Sequence, residues 1–570
     1  MKRFLFACAV PVAALTLPLD ARQEPERAYV GARVLAPDGR DWLENRVVVV
    51  GGGRILGMPY ADTWDAALPV VDTSGLYVVP GLIDLHTHLL LHPYDEASWN
   101  EQVLNESMGL RTLRAALAAR ATLEAGFTTI RELGTEGAGF ADVAVRDAIA
   151  QGLIPGPRIL SATKALAATG CYGVSGFDPR WDPPKGAQIA DGELGVRLAV
   201  REQIAAGADW IKVYADYRRR PGAPSTPTYS PEELRAIVAE ADSAGVPVAA
   251  HASTDAGIRR SIAAGVETIE HGTGASLATL KEMRDAGVVL CPTLAASEAM
   301  ARYGGWRPGA PEPQRVRAAR EMFARALESG VTIACGSDAG VFSHGDNARE
   351  IELMCAYGMT PSEALRAATH TAAQVLGRGD SLGRIAPGYV ADLVGLREDP
   401  LQDPSHLRHP ALVVVAGEVV VDQGLNVEDS ERKVLGLVQA WLNDLQARRF
   451  DALAQHFAPE ALVFSSDLSE ERAGRVEDVG GFVARLRTDL AGIPGFPEWI
   501  SIASESMVHG DVACVWAPFT LTRPLILDSP ENGQGLSRPV SHLGGVDVFQ
   551  LVRTHGTWRI ASLTYTNRRR

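Results

Sequence analysis

Cysteine is scarce in this chain, which contains six in 570 residues. No two of them form a CxxC pair, so neither a disulfide framework nor a cysteine-based zinc site is indicated. Positive charge is also in deficit, because 69 acidic residues outnumber 55 basic ones and give a formal net charge of −14. That balance argues against a nucleic acid or an anionic membrane as the main partner. Beyond residue 21 no apolar run is long enough to span a bilayer.

The amino terminus resembles a targeting segment. Lys2 and Arg3 precede an apolar run over residues 4–19, and Ala21 offers a small residue for cleavage. A membrane anchor would need about 20 apolar residues, and this run is shorter. We therefore expect residues 1–21 to be a secretory signal peptide and the mature protein to be periplasmic or secreted.

One local pattern recurs through the middle of the chain. An alanine-rich helical stretch ends in glycine, and a β-branched apolar strand follows at once. With apolar strands near residues 78–85 and 158–162, the pattern predicts about eight β-α units, so residues 80–384 are expected to form a (β/α)₈ TIM barrel of the α/β class. An open doubly wound sheet is the rival, and it is disfavoured because no GxGxxG fingerprint opens the first helix. The glycines of the pattern are Gly126, Gly207, Gly245, Gly265, Gly287 and Gly330.

Short β-rich segments flank the barrel region on both sides. We expect residues 28–79 and 385–425 to join as one composite β-sandwich. From about residue 431 a helical stripe is followed by strand-like runs at 512–521, 546–552 and 558–566. Helices followed by a meander predict a separate α+β domain over residues 431–570.

Polar residues with metal-ligand chemistry stand where the predicted barrel strands end, which is the face that carries TIM-barrel active sites. The histidines of His86-Thr87-His88 are two positions apart in a strand and can share one ion. Alone, such a pair is more often incidental, a single histidine is more often structural, and Asp338 would suit a helix cap. The whole set on successive strand ends favours a metal site. Its members are His86, His88, Lys212, His251, His271 and Asp338.

The motifs around these residues resemble a known family. Residues 80–88, Pro-Gly-Leu-Ile-Asp-Leu-His-Thr-His, resemble the opening motif of the amidohydrolase superfamily. Residues 269–272 and 336–340 resemble its later metal motifs, and the resemblance covers roughly residues 28–425. The carboxy-terminal domain resembles the nuclear-transport-factor-2-like (NTF2-like, SnoaL-like) fold at residues 549–552 and 558–560. We expect that domain to be accessory and the protein to be a homo-oligomer.

The resemblance implies a role for each ligand. Lys212 would be carbamylated by CO₂ and bridge two divalent metal ions, because a free ammonium would repel two cations. The alternative is a structural lysine paired with a carboxylate. By resemblance, His86, His88 and Asp338 hold one metal and His251 and His271 the other; this mixed set suits Zn²⁺. A metal-bridged hydroxide would then attack the amide carbonyl, with Asp338 as the catalytic acid–base group.

The substrate is also suggested by resemblance. Residues 340–347 resemble the prolidase-like and imidazolonepropionase-like branch, and residues 89–94 and 212–217 resemble its ochratoxin-hydrolysing bacterial members. This implies cleavage of the amide bond of an N-acyl amino acid or a dipeptide-like small molecule. Tyr214 and Tyr172 are expected to contact the substrate, and His344 is expected either to contact it or to support the residues that do; the alternatives are a surface histidine and core tyrosines. Tyr172 stands where dipeptidases of this branch often carry a histidine, and we expect it to donate a hydrogen bond to a substrate carbonyl.

Two other functions remain open at this point. A cyclic-amide hydrolase of the imidazolonepropionase type would normally dispense with a carbamylated lysine. A ligand-binding or scaffold protein would have an inactive barrel, which an intact ligand set argues against.

Overall fold

The computed structural model describes residues 26–64, 68–178, 180–220 and 222–422, and further stretches between 440 and 569. The chain divides at residue 425 into two compact units. The predicted signal peptide, residues 1–21, lies outside the described residues. Among the helices in the described parts, none is both long and apolar enough to cross a membrane.

The first unit begins with seven short strands: β1 (Arg27–Val30), β2 (Arg33–Leu35), β3 (Trp42–Leu43), β4 (Val47–Gly51), β5 (Arg54–Gly57), β6 (Val70–Asp72) and β7 (Tyr77–Pro80). Four of them form a sheet in the order β5-β4-β1-β6. The others, β7, β2 and β3, belong to a second sheet that strands from later in the chain complete.

Strands and helices alternate through the middle of this unit, and the strands pair in parallel except for Asp216–Arg218 and Ser225–Pro227, which form an antiparallel hairpin. The strands are β8 (Leu82–Thr87), β9 (Phe127–Glu132), β10 (Arg158–Ser161), β11 (Leu166–Ala167), β12 (Gln188–Ile189), β13 (Ile211–Tyr214), β14 (Asp216–Arg218), β15 (Ser225–Pro227), β16 (Val248–Ala252), β17 (Thr268–His271) and β18 (Val289–Cys291). The helices are α1 (Trp99–Asn105), α2 (Met108–Glu124), α3 (Ala141–Ala150), α4 (Gly192–Ala205), α5 (Pro231–Asp242), α6 (Asp255–Ala264), α7 (Leu277–Ala286), α8 (Leu294–Tyr303), α9 (Gln314–Ser329), α10 (Arg349–Ala356), α11 (Pro361–Ala367) and α12 (His370–Val375).

The strands pair in two parallel ladders, β10-β9-β8 and β12-β11-β13-β16-β17-β18. The segment after α9 lies beside both, because Ile333 bridges Leu290 of β18 and Ala339 bridges Thr87 of β8. On the other side, the backbone N–H of Asp209 before β13 donates to the carbonyl of Ser161 in β10 at 2.7 Å. These contacts bring the carboxyl ends of the strands to one edge of the unit.

Local sequence explains where the helices begin and end. Ser230 and Thr360 start α5 and α11 with a capping box, each followed by proline at the first helical position, as their sequences predict. Gly265, Gly287 and Gly330 end α6, α7 and α9 with φ of 91°, 74° and 72°. This left-handed conformation favours glycine. A strand starts within a few residues of Gly265 and Gly287, whereas the predicted strand after Gly330 is a segment that pairs only through isolated bridges.

The chain then returns to the first sheets through β19 (Leu393–Leu396), a short 3₁₀ helix (Pro404–Arg408), β20 (Leu412–Val415) and β21 (Glu418–Asp422). The second sheet has the order β21-β20-β19-β7-β2-β3, so strands from both ends of the unit share it. Tyr29 and Val50 of one sheet and Val78 and Leu412 of the other belong to one buried hydrophobic cluster. The two sheets therefore face each other across a common core.

The second unit mixes helices and strands. Its described helices are α13 (Phe450–Gln455) and α14 (Val479–Ala491). Its described strands are β22 (Phe457–Asp467), β23 (Arg475–Asp478), β24 (Trp499–Ser501), β25 (Glu505–His509), β26 (Val512–Arg523), β27 (Ser541–Thr554) and β28 (Thr557–Arg569). They form one sheet in the order β23-β22-β28-β27-β26-β24, with β25 pairing to β26. The strand runs predicted at 512–521, 546–552 and 558–566 lie within β26, β27 and β28.

Candidate metal centre

The six predicted ligands lie on parallel strands or in the segments that directly follow or flank them. They all line one cavity of about 1260 Å³ in the first unit, which Tyr172 and Tyr214 also line. His86 belongs to β8, and His88 directly follows that strand. Lys212 belongs to β13, His251 to β16 and His271 to β17. Asp338 lies in the segment after α9, next to Ala339, which bridges Thr87 of β8.

Three of these residues form a tight group. The Nε2 atoms of His86 and His88 lie 3.7 and 3.4 Å from Oδ1 of Asp338. Their ligand atoms all fall within 4.8 Å of one another, and all three side chains are buried. Imidazole and carboxylate donors at this spacing can surround a single divalent ion.

The other two histidines continue the group around the cavity. The ring centroids of His251 and His271 are 4.5 Å apart, and those of His271 and His86 are 5.1 Å apart. Lys212 is 1 % exposed and lies on the strand next to β16, where it pairs in register with Ala249. The structure thus brings all six predicted ligands to one site.

Backbone contacts position the Asp338 segment. The N–H of Asp338 donates to the carbonyl of His86 at 2.7 Å, and the N–H of Ser337 donates to Oδ1 of Asp84 at 2.9 Å. The side chain of Asn347 donates to the other oxygen of Asp84 at 2.8 Å. The fully buried Asp84 therefore ties the segment to β8.

Hydrogen bonds at Nδ1 orient three of the imidazoles. His86 Nδ1 lies 2.8 Å from Oε2 of Glu270, and His88 Nδ1 lies 2.9 Å from the carbonyl of Gly134. Carbonyl and carboxylate oxygens only accept, so both rings carry their proton on Nδ1 and offer the lone pair of Nε2. His271 Nδ1 lies 2.7 Å from the Thr293 hydroxyl, which orients the ring and turns Nδ1 away from the other ligands.

Burial controls the protonation of the site. Desolvation lowers the pKa of all four histidines, and that of His251 falls to about 3. The imidazoles are therefore neutral, which is the form that binds metals. Burial also lowers the pKa of the Lys212 ammonium and raises that of the Asp338 carboxyl, which the lysine charge opposes.

Backbone strain is concentrated at this cavity. Among described residues other than glycine, eight have positive φ, and five of them line or support the site. Such conformations cost roughly 1–2 kcal/mol each and persist where packing enforces them, often at functional sites. The five are Glu136 (φ 51°), Tyr172 (42°), His271 (71°), Thr293 (49°) and Asp338 (65°).

Comparison with known proteins agrees with this geometry. The model of the amidohydrolase family matches residues 77–421. The chain belongs to the amidohydrolase family. It is therefore a hydrolase of that family, whose members generally use divalent metal ions. All six candidate ligands, which are four histidines, one lysine and one aspartate, lie within the matched region.

Relatives of this amidohydrolase differ in their named activities. Ochratoxinase of Aspergillus niger is 32% identical over 365 residues, covering 59% of this chain and 73% of the relative. Imidazolonepropionase of Chromobacterium violaceum is 28% identical over 383 residues, covering 62% and 85%. A crystal structure of a Xaa-Pro dipeptidase with methionine in its active site is 30% identical with a TM-score of 0.62, covering 69% and 99%.

A buried glutamate in this amidohydrolase organises the tyrosines, and sequence reasoning missed it. Glu136 is 1% exposed and accepts hydrogen bonds from Tyr172 Oη, from Trp99 Nε1 at 2.8 Å and from Tyr214 Oη at 3.1 Å. The rings of Tyr172 and Tyr214 stack with centroids 3.8 Å apart. Both hydroxyl protons point to Glu136, so each oxygen faces other groups as an acceptor. The expected donation from Tyr172 to a substrate carbonyl is corrected accordingly.

His344 takes the supporting position, which is one of the two places expected for it. It does not line the cavity, and its Nε2 lies 3.2 Å from the carbonyl of Leu91 in the loop after β8. The structure therefore places it behind that loop, where it supports the backbone beside His88, instead of in contact with a substrate.

The outer part of the cavity is basic. Arg218, Arg219, Arg220 and Arg315 line it, and all four are exposed. Within the described parts of the chain, none of the four forms an ion pair with a carboxylate. Arg219 donates instead to the carbonyls of Pro227 and Thr228 at 3.1 and 3.2 Å. The run of three arginines is visible in the sequence, but its position at the cavity mouth depends on the hairpin of β14 and β15.

Proposed function

We propose that this amidohydrolase is a binuclear enzyme that cleaves the amide bond of an N-acyl amino acid or a dipeptide-like molecule. The observation that carries the proposal is the convergence of four neutral histidines, Asp338 and Lys212 on one buried cavity. A mononuclear site would use His86, His88 and Asp338 and would leave the lysine and two further imidazoles without a role.

The donor set fits two divalent ions. His86, His88 and Asp338 would hold one ion, His251 and His271 the other, and a carbamylated Lys212 would bridge them. Mixed imidazole and carboxylate donors favour Zn²⁺. The orientation of the imidazoles by Glu270, Gly134 and Thr293 supports this fit, since ligating histidines usually donate their second N–H to such partners.

Bound metals would supply a water molecule acidified to near-neutral pKa and an electrophile for the carbonyl oxygen. Asp338 then handles the protons. Its Oδ1 lies within 4 Å of two histidine Nε2 atoms, so its other oxygen is available to accept a proton from the attacking water. The same carboxyl returns the proton to the departing amine nitrogen. Tyr94 and Tyr217 line the same cavity.

The charge of the cavity supports a substrate with a free carboxylate. Both N-acyl amino acids and dipeptides carry one, and the four arginines at the outer end of the cavity form no ion pair with a carboxylate of the described residues. Deeper inside, Tyr172 and Tyr214 offer hydroxyl oxygens as acceptors, which suits an N–H group on the acyl side of the amide.

The closed barrel and the accessory domain belong to the same proposal. The contacts of Ser161 with Asp209 and of the 333–339 segment with β18 and β8 support an eight-stranded closed barrel. The mixed sheet-and-helix pattern of the second unit supports an NTF2-like domain with an accessory, oligomer-forming role. We further propose that residues 1–21 direct export to the periplasm or beyond.

The proposal is tested with a substrate panel supplied with Zn²⁺ and bicarbonate. The panel pairs each N-acyl amino acid or dipeptide with its carboxamide, which lacks the carboxylate, and includes a cyclic imidazolone. We expect turnover of the free acids and little turnover of the carboxamides. Turnover of the imidazolone alone would favour a cyclic-amide hydrolase, and none at all would favour an inactive barrel.

Two variants separate chemistry from folding in that panel. Asp338→Asn keeps the shape of the side chain but cannot accept a proton, so we expect a loss of kcat of about 10²-fold or more. Asp346→Asn is the matched control, because Asp346 follows in the same loop and pairs with Arg408 outside the cavity. Equal activity of the two variants would contradict the role of Asp338.

A further inference from the structure

A second cavity lies at the opposite end of the parallel strands in the first unit. Its volume is about 500 Å³. Pro80 lines it just before β8 starts, and Thr369 lines it next to Ala368, whose carbonyl accepts the N–H of Ile83 in β8. The metal-ligand residues stand at the carboxyl ends of these strands, so the second cavity is separate from the proposed active site.

The lining of this cavity carries a net positive charge. Three arginines, Arg40, Arg366 and Arg384, line it together with His370, whereas Asp38 is its one acidic lining residue. With His370 neutral, the described lining carries a charge of +2, from three arginines and one aspartate. This concentration of positive charge stands out in a chain whose formal net charge is −14.

The arginines have spare hydrogen-bond donors. In the part of the chain that the structure describes, no ion pair joins any of the three guanidinium groups to a carboxylate, although Glu363 of α11 is close enough for the charges of Arg366 and Arg40 to contribute to lowering its pKa. Arg384 contacts the ring nitrogens of His370 at 3.1 and 2.7 Å. A neutral imidazole accepts through a single nitrogen, so at least four of the five N–H donors of Arg384 need another partner.

The fold holds these groups in place. Gly39 has φ of 74°, and a Cβ atom there would lie 2.8 Å from Cγ of Arg366, so the stem of Arg366 packs against a position that only glycine fits. Ser362 donates to the carbonyl of Gly39 at 2.6 Å, which ties the β2–β3 turn to α11. The cavity is therefore lined by the β2–β3 turn, by residues of and next to α11 and α12, and by the segment that returns to the sandwich.

We propose that this second cavity binds a small dianionic oxyanion, such as a phosphate or a dicarboxylate. Planar guanidinium groups match the oxygen pairs of both. The charge of +2 in the lining, which the nearby Glu363 carboxylate offsets in part, favours an anion, and the volume of about 500 Å³ accommodates an ion of a few heavy atoms with its water. Since the lining comes from the sandwich and from the barrel helices, bound anion stabilises the joint between them.

The test uses the full-length, metal-loaded enzyme and three probes: inorganic phosphate, sulfate and succinate. Binding is followed by calorimetry and by the shift in Tm. Phosphate also has access to the metal centre, so the wild type is compared with Arg366→Ala and Arg384→Ala. Arg378→Ala is the matched control, because Arg378 is exposed, follows α12 and does not line the cavity. Arg384→Lys, which keeps the charge, serves if the alanine variants fold poorly.

We expect an anion-dependent rise in Tm in the wild type and in Arg378→Ala. Loss of either cavity arginine should weaken that binding about tenfold, which corresponds to one charge-assisted hydrogen bond. A preference for phosphate and sulfate over succinate would identify the tetrahedral ligand, and the reverse would identify a dicarboxylate. Equal anion responses in the cavity variants and the control, or none in the wild type, would overturn the proposal. Selenate soaked into crystals should give an anomalous peak between Arg366 and Arg384.

Discussion

The orientation of His86 can be tested by changing one buried carboxylate to its amide. Glu270 is fully buried, with Oε2 lying 2.8 Å from His86 Nδ1 and Oε1 accepting from Nη2 of Arg131 at 2.9 Å. The Thr268 hydroxyl also donates to Oε1, at 2.5 Å, so three donors surround this carboxylate. Glu270→Gln keeps the volume of the side chain and replaces one acceptor oxygen with an NH₂ donor.

Either orientation of the amide disturbs the site. If the NH₂ group faces His86, the ring must accept through Nδ1 and carry its proton on Nε2, which removes the lone pair offered to the metal. If it faces Arg131, a buried guanidinium loses its carboxylate partner. Loss of such a partner of a ligating histidine typically weakens metal binding or activity by about 10–100-fold, or roughly 1.4–2.7 kcal/mol.

Glu350→Gln is the matched control for burial. Glu350 is also fully buried, but it accepts from the backbone N–H groups of Leu294 and Ala295 at 3.0 and 2.7 Å and contacts no histidine. Metal affinity is measured by competition with a chelator, together with kcat/KM and Tm. We expect Glu270→Gln to lose metal affinity while Glu350→Gln loses only stability. Wild-type metal affinity in Glu270→Gln, or equal metal loss in both variants, would refute the argument.

Three further predictions concern the lysine, the arginines and the tyrosines. Lys212→Ala should lose activity and regain part of it when short carboxylic acids are added, because they replace the carbamate; full activity without them would end the bridging assignment. Raising the ionic strength from about 0.1 M to about 1 M should raise KM for a carboxylate substrate with little change in kcat, because salt screens the exposed residues Arg218–Arg220. An unchanged KM would contradict electrostatic attraction of the substrate by these arginines. Tyr172→Phe should lower the free energy of unfolding by about 1.5–3 kcal/mol through its lost bond to Glu136. Tyr229→Phe removes a buried hydroxyl that has no hydrogen-bond partner among the described residues, and it should leave stability unchanged or raise it by about 1 kcal/mol. Equal losses for the two variants in denaturant titrations would contradict this account.

The positions of several strands and the candidate metal ligands could be predicted from the sequence. The glycine that ends a helix and the apolar run that follows it mark β9, β13, β16 and β17 locally, without reference to the rest of the fold. Residues that end such strands must meet at one edge of a parallel sheet. His251 and His271 could therefore be paired with His86, although more than 160 residues separate them.

The residues that support the ligands could not be predicted in this way. Glu270 stands beside His271 in the sequence, yet its partner His86 is 184 positions away. Glu136 follows β9 in a loop, and its three donors come from α1, from the loop before β12 and from β13. Which residue supports which ligand depends on packing between distant segments, and the periodicity of the sequence does not predict that packing. The same reason explains His344, whose loop folds back under Leu91.

The most direct test of the binuclear site is a crystal structure of the metal-loaded enzyme, with anomalous scattering recorded at the absorption edge of the metal. The account predicts two ions per chain in the cavity of His86 and His251, with a carboxylate on Lys212 Nζ between them. A single ion beside Asp338, with Lys212 unmodified and no density connecting it to a second site, would contradict it.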